Sequence, residues 1–338
     1  MIVICKYFLE VFFMLKRSIA ILLCAVTILS TGLCACSKGT EAGSSAGQPQ
    51  SAQNIASLPQ AGSAAVGKLK VSVTFNAMKE FTEAVGKDKI EISTIIPDGM
   101  EPHDFEPKAQ DLVGLSTAKV FVYNGLGMET WAERAVQSAN NPGLVVVEAS
   151  KGAEPIKNTD DSTEKEHGQY DPHIWLSLKG AKAEVENIRD GLVKADPSNR
   201  NYYEENCKEF VAKLDNLYQE YQKKFISVKK KSFVTGHAAF GYLCRDFGLE
   251  QNSVEDIYAE GEPSAQQLAQ LIQFCKSHNV KTVFAEDMAS PEVSKTLGNE
   301  VGAKVETIYT VESNEDDKSY LERIQSDLSK IYSSLQEK

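Results

Sequence analysis

The chain has 338 residues, 42% of them hydrophobic and 25% charged, and a formal net charge of −11. These proportions are ordinary for a folded soluble protein, and the length favours about two domains of roughly 150 residues. The acidic balance argues against nucleic acid as a partner; it is compatible with a cation ligand, but it is also a common route to solubility.

The first 35 residues read as an export signal. Lys16 and Arg17 form a basic start, residues 19–29 are apolar, and the small Ala35 precedes Cys36. The apolar stretch is too short to span a bilayer with its own flanks, so a signal peptide over 1–35 is expected rather than a membrane helix. Leu33, Cys34, Ala35 and Cys36 follow the pattern of a bacterial lipobox, with Cys34 an unusual choice at its position. That pattern predicts a lipid on Cys36 and attachment to the membrane. Residues 36–68, rich in Ser, Gly, Ala and Gln, have no apolar period and read as a tether. Cys207, Cys244 and Cys275 follow no metal-binding spacing and define no disulfide.

From residue 69 onward strands and helices alternate. Residues 69–75 and 90–96 are β-branched runs, and a helical stretch at 79–85 lies between them. A helix at 107–117, a strand at 120–123, a helix at 129–139 and a strand at 144–147 continue the pattern. Residues 151–172 break it with a polar, acidic run that reads as a surface loop. A helix at 178–194 stops before Pro197. Residues 198–225 then carry Tyr203, Phe210, Leu214, Leu217 and Tyr221 at helical spacing, enough for a helix about 40 Å long. The alternation resumes with strands at 232–235, 281–284 and 304–308 and helices at 238–247, 264–278, 291–301 and 316–336. The expected fold is α/β: two lobes with mainly parallel sheets, at 69–197 and 227–338, joined by a long helix at 198–226. No Gly-rich dinucleotide fingerprint follows the first strand.

Five histidines are present. His103 and His237 fall just past predicted strands, Glu286 does the same, and His173 precedes a helix. Open α/β sheets place ligands at the carboxyl ends of strands. Converging across a cleft, His103, His173, His237 and Glu286 would form a three-nitrogen, one-oxygen site suited to zinc and closed to water. For each of them the alternative is an ordinary hydrogen-bonded or solvated residue, and spacing alone does not separate the two. His278 ends a helix, where an imidazole suits the dipole, and His167 in the acidic run reads as solvated.

The local sequences around these residues go further. Glu101-Pro102-His103-Asp104-Phe105-Glu106-Pro107, Asp171-Pro172-His173-Ile174-Trp175-Leu176 and Thr235-Gly236-His237, followed by 257–264 and Phe284-Ala285-Glu286, stand in one order along the chain. In these segments the chain resembles the metal-binding solute receptors of zinc/manganese ABC importers, the zinc-type members of cluster A-I. The likeness spans about 69–336. It implies two α/β lobes joined by a rather rigid helix, a single bound metal ion, and an ABC importer permease as partner of a monomeric receptor. It also implies that the three motif histidines and a carboxylate of the second lobe are ligands: His103, His173, His237 and Glu286, with Asp287 as a substitute. Zinc-type members often carry a His-rich loop before the second ligand, whereas here the loop is acidic with one His. Manganese-type members place a carboxylate where this chain has His237, so zinc is expected and manganese is the alternative. A zinc hydrolase would need an open coordination position and a general base, and no HExxH motif occurs. Adhesion to host matrix, discussed for some members, would be an added role that no sequence feature here encodes.

Overall fold

A computed structural model describes residues 67–158, 169–258, 264–286, 292–314 and 316–337. The signal segment, Cys36 and the tether up to residue 66, together with His167 and Asp287, lie outside the described residues. Residues 63–338 belong to one compact unit, and within it two four-stranded parallel sheets are found.

The first sheet is built from β1 (Leu69–Val73), β2 (Ile90–Thr94), β3 (Val120–Tyr123) and β4 (Val145–Glu148), in the order β2-β1-β3-β4. The register sets Val71 beside both Ile92 and Val120, a run of branched side chains that suits strands covered on both faces. The second sheet, from β5 (Ser232–Thr235), β6 (Glu250–Ser253), β7 (Thr282–Glu286) and β8 (Lys304–Ile308), repeats that order as β6-β5-β7-β8. The edge strand β6 was not anticipated: its sequence, Glu250-Gln251-Asn252-Ser253, has no apolar alternation, and it is held by pairing with β5 alone.

Helices α1 (Asn76–Gly86), α2 (Ala132–Ala139) and α3 (Leu178–Ala195) belong to the first lobe. α3 buries Ala181, Val185, Ile188 and Leu192, a single face at spacings of three and four, and the Ser177 hydroxyl caps it by accepting from the Gly180 N–H at 3.0 Å. The expected helix at 107–117 is not formed. Those residues make turns and one short 3-10 segment, Val113–Ser116, because Leu115 is buried while Val113 remains 65% exposed, which leaves no apolar stripe to dock.

The 28-residue α4 (Arg200–Ser227) follows directly. Near its start Tyr203 is buried, and Asn206 donates to the Val85 carbonyl of α1 at 2.9 Å. Near its end Phe225 packs on Phe247 and Tyr332 of the second lobe, with ring centroids 5.1 and 5.9 Å apart. One helix thus touches both lobes. The second lobe adds α5 (Gly241–Phe247), α6 (Ala265–Ser277), α7 (Glu292–Val301) and α8 (Tyr320–Gln336). Capping boxes at Ser264/Gln267 and Ser319/Glu322 start α6 and α8.

The main apolar core runs from Val71, Phe81 and Trp175 through Tyr221 and Phe225 to Phe284 and Ile331, so the lobes share packing, while a smaller cluster around Val234, Leu271 and Val283 belongs to the second lobe. Polar ties reinforce it. Trp175 Nε1–H donates to the Thr310 carbonyl at 2.7 Å, Tyr320 O–H to the Trp175 carbonyl at 2.6 Å, and the buried Arg323 guanidinium to Glu80 at 2.8 Å. Cys207, Cys244 and Cys275 are buried free thiols. Among the described residues no helix is long and apolar enough to cross a membrane.

Candidate metal centre

His103, His173, His237 and Glu312 meet between the two sheets, one potential ligand atom from each lying within 4.8 Å of all the others. Each sits on a connection leaving the carboxyl end of a strand: His103 after β2, His173 between β4 and α3, His237 after β5 and Glu312 after β8. In two parallel sheets the ends of the strands are where side chains from separate connections converge.

Four of the separations are close to those of a tetrahedral metal shell. Nε2 of His173 lies 3.1 Å from Nε2 of His103 and 3.4 Å from Nε2 of His237. Oε1 of Glu312 is 3.7 Å from Nε2 of His103 and 3.6 Å from Nε2 of His173. Ligands about 2.0–2.1 Å from a zinc ion in tetrahedral geometry stand about 3.3 Å from one another. Glu312 Oε1 is buried and takes no hydrogen bond, whereas Oε2 accepts from the Thr310 hydroxyl at 2.8 Å. One oxygen is therefore fixed by the protein and the other faces the imidazoles. A buried carboxylate oxygen aimed at three imidazole nitrogens fits a small divalent cation.

Neighbouring groups set the rings. His173 Nδ1 and its backbone N–H both lie 2.9 Å from Asp171 Oδ1, so Nδ1–H donates to the carboxylate and the Nε2 lone pair is left for the site. The turn beneath is tight: a Cβ on Gly180 would lie 2.1 Å from the Ile174 carbonyl. His237 is held by its backbone. Its carbonyl accepts from Thr235 Oγ1 at 2.7 Å and Gln251 Nε2 at 2.8 Å, and its N–H donates to Glu286.

Burial and charge divide the histidines. Burial alone would lower the pKa of His173, but the hydrogen bond to Asp171 and the nearby Glu312 carboxylate outweigh it and raise the value to about 9. His237, buried and beside His173, is lowered to about 4 and is neutral at physiological pH. Burial raises the Glu312 carboxyl, yet the surrounding histidines hold it down to about 2, so it is an anion. Burial and then the Glu312 charge push Glu101, whose carboxylate accepts the His103 N–H at 3.2 Å, up to about 8.

The structure brings the three expected histidines together but not Glu286. β7 runs two residues beyond the expected end, and Glu286 is its last residue, paired in register with Ile308. Its carboxylate faces the Nδ1 side of His237, 3.7 Å away, and accepts the His237 N–H at 3.1 Å. Burial raises it to about 8. Gly236 makes room for it, since a Cβ there would lie 1.8 Å from Glu286 Oε2. Glu312 instead stands with the three histidines in the group that could hold a metal. The strand-end rule that singled out Glu286 also covers Glu312, four residues past β8, and applying it to every strand would have found both. His278 caps the end of α6, stacked on Phe274 at 4.0 Å, and is not one of the four.

Comparison with known proteins places this geometry. The model of a family described as zinc-uptake complex component A, periplasmic, matches residues 71–334. A protein of Treponema pallidum (strain Nichols) with a provisional metal-binding description is 46% identical over 273 residues, covering 78% of this chain and 86% of its own. The high-affinity zinc uptake system protein ZnuA of Bacillus subtilis (strain 168) is 41% identical over 252 residues, covering 72% and 79%. Among solved structures, a zinc-bound deletion mutant of a ZnuA protein superposes with a TM-score of 0.71 at 31% identity, covering 80% of this chain and 99% of that one.

Proposed function

The chain belongs to the family of zinc-uptake complex component A proteins, and we propose that it is an extracytoplasmic receptor that captures one zinc ion with His103, His173, His237 and Glu312 and delivers it to an ABC importer. The observation that carries this reading is the buried group of three imidazole nitrogens and one carboxylate oxygen, all within 4.8 Å of one another. Four protein ligands leave no position for an activated water, which suits capture and delivery rather than turnover. Three imidazoles with one carboxylate favour zinc over the harder manganese ion. The signal over 1–35 and the lipobox ending at Cys36 support export and lipid attachment, with the tether giving a monomeric receptor its reach to the importer.

Elemental analysis of protein purified without chelators, then offered zinc and manganese together, tests the metal. One equivalent of zinc retained against manganese is expected. Retained manganese would move the protein to manganese capture, and no retained metal would sink the receptor reading. Cys36→Ala tests the anchor: the variant is expected in the soluble fraction, while continued sedimentation with membranes would refute lipidation there.

A further inference from the structure

The four ligand side chains are closed off from solvent. His103 is 1% exposed, Glu312 2%, His173 0% and His237 4%. A metal ion therefore reaches them only if some group moves, and the four ligands are held in different ways. His173 opens the turn into α3 with both its ring and its N–H on Asp171, His237 is pinned through its carbonyl and N–H, and Glu312 is braced by Thr310. His103 lies in the long connection between β2 and the Val113–Ser116 turn, in a stretch of turns closed by bonds such as Phe105 N–H to the Pro102 carbonyl.

A surface cavity of about 250 Å³ ends on this residue, lined by His103, Asp104, Glu106, Met128, Thr130 and Tyr258. It is acidic, and it reaches a ligand. The ring of Tyr258 lines the cavity beside this ligand and meets the His103 ring edge-on, with centroids 5.2 Å apart and an interplanar angle of 81°. Tyr258 comes from the second lobe and is itself 2% exposed. Its hydroxyl is fastened at the far side: it donates to the Tyr170 carbonyl at 3.1 Å and accepts from Asn158 Nδ2 at 3.3 Å. Its backbone N–H donates to Asp256 Oδ1 at 3.0 Å. The ring thus bridges the connection carrying Asn158 and Tyr170 to the face of one ligand.

We propose that Tyr258 is the positioning residue that gates the metal: the ion enters and leaves through the Asp104/Glu106 cavity past His103, and the hydrogen bonds of the Tyr258 hydroxyl to Tyr170 and Asn158 set how often that route opens. The inference rests on the zinc-capture reading above and adds the path and the residue that times it. Opening the gate breaks both hydroxyl bonds while the four ligand contacts form and break as before. A residue that acts in this way changes the rates of capture and release together and leaves their ratio nearly unchanged. A residue that only supports the ligand geometry changes the release rate and the affinity by the same factor.

The test is stopped-flow kinetics on the full chain held in detergent. Zinc release is read by transfer to an excess of a fluorescent chelator, capture by mixing metal-free protein with zinc, and the dissociation constant by separate competition. Tyr258→Phe keeps the ring and removes the hydroxyl. Each buried hydrogen bond of this kind contributes a few-fold to tenfold, so release and capture are both expected to speed up about tenfold, with one zinc still bound and the dissociation constant within about threefold. Asn158→Ala, which removes one of the two bonds without touching the ring, is expected to lie between wild type and Tyr258→Phe. Unchanged rates in Tyr258→Phe would overturn the proposal. So would faster release with unchanged capture and a matching loss of affinity, which would make Tyr258 a packing residue. Wild-type protein that binds no zinc would instead overturn the receptor reading, so the two failures are distinct.

Discussion

Glu312 and Glu286 are both buried carboxyls beside His237, and what faces their oxygens separates them. Glu312 is an anion with one oxygen on the imidazole nitrogens, whereas Glu286 is raised to about 8 and supports a backbone N–H. Titration calorimetry should show Glu312→Gln weakening zinc binding by about 100-fold or more, beyond the roughly 10–100-fold typical of groups behind the ligands. Glu286→Gln, which resembles the protonated acid, should weaken it by less than about tenfold; the reverse order would restore Glu286 as the ligand. Asp171→Asn should lie in the roughly 10–100-fold range, because it removes the charge that orients and polarises His173. The proton on His173 gives the pH dependence. With a value of about 9 in the metal-free protein, zinc must displace that proton, so affinity should fall about tenfold per pH unit below 9 and binding near pH 7.5 should release about one proton. Calorimetry in buffers of different ionisation enthalpy counts it, and zero protons released would contradict the assignment. The three histidines were legible because each stands in a distinctive local sequence at the end of a strand or the start of a helix. Glu312 also follows a strand end but stands in no such local sequence: Thr310-Val311-Glu312 carries no periodicity, and its aim depends on Val311 at φ +60°, a left-handed conformation rare for a β-branched residue. Long-range contacts hold that conformation: the Glu312 carbonyl accepts from Asn76 N–H at 3.3 Å and the Thr310 carbonyl from Trp175.

Elements matter here through their ends. Ser177 caps α3 four residues after His173, so Ser177→Ala should cost about 0.5–2 kcal/mol in denaturant unfolding. Gly180→Ala should cost more, because its Cβ would press on the Ile174 carbonyl and shift the turn that seats His173. Chemical denaturation of the two variants checks the order, and an unaltered Gly180→Ala would show that the turn yields freely. Strands with branched residues and helices with a continuous apolar face, such as α3, could be read directly. The stretch 107–117 misled because Leu112, Val113 and Leu115 suggest a stripe, yet only Leu115 is buried, Leu112 packs at the edge of the core and Val113 faces solvent. β6 was missed for the opposite reason: polar residues form a strand where the neighbouring strand supplies the partner.

At the scale of the whole molecule, the same titrations act on stability with opposite signs. In the metal-free protein the folded value of His173, about 9, lies above its unfolded value near 6.5, and that of Glu286, about 8, lies above 4.5. Both groups favour the folded state most at low pH, and that contribution is lost as pH rises through 8 and 9. Metal binding strengthens over the same range. Zinc at about 1,000 times its dissociation constant adds about 4 kcal/mol to the folded state, so calorimetric scans should show a zinc-induced rise in Tm that is larger at pH 8 than at pH 6. An equal rise at both would argue against proton-linked capture. The shared core, the α4 helix spanning both lobes and the Trp175, Tyr320 and Arg323 ties leave little freedom for one sheet to swing against the other. An importer facing this receptor therefore meets nearly the same outline whether cargo is aboard or not. Empty receptors then compete with full ones for the same berth, and a cell that makes many more receptors than importers slows its own uptake when zinc is scarce.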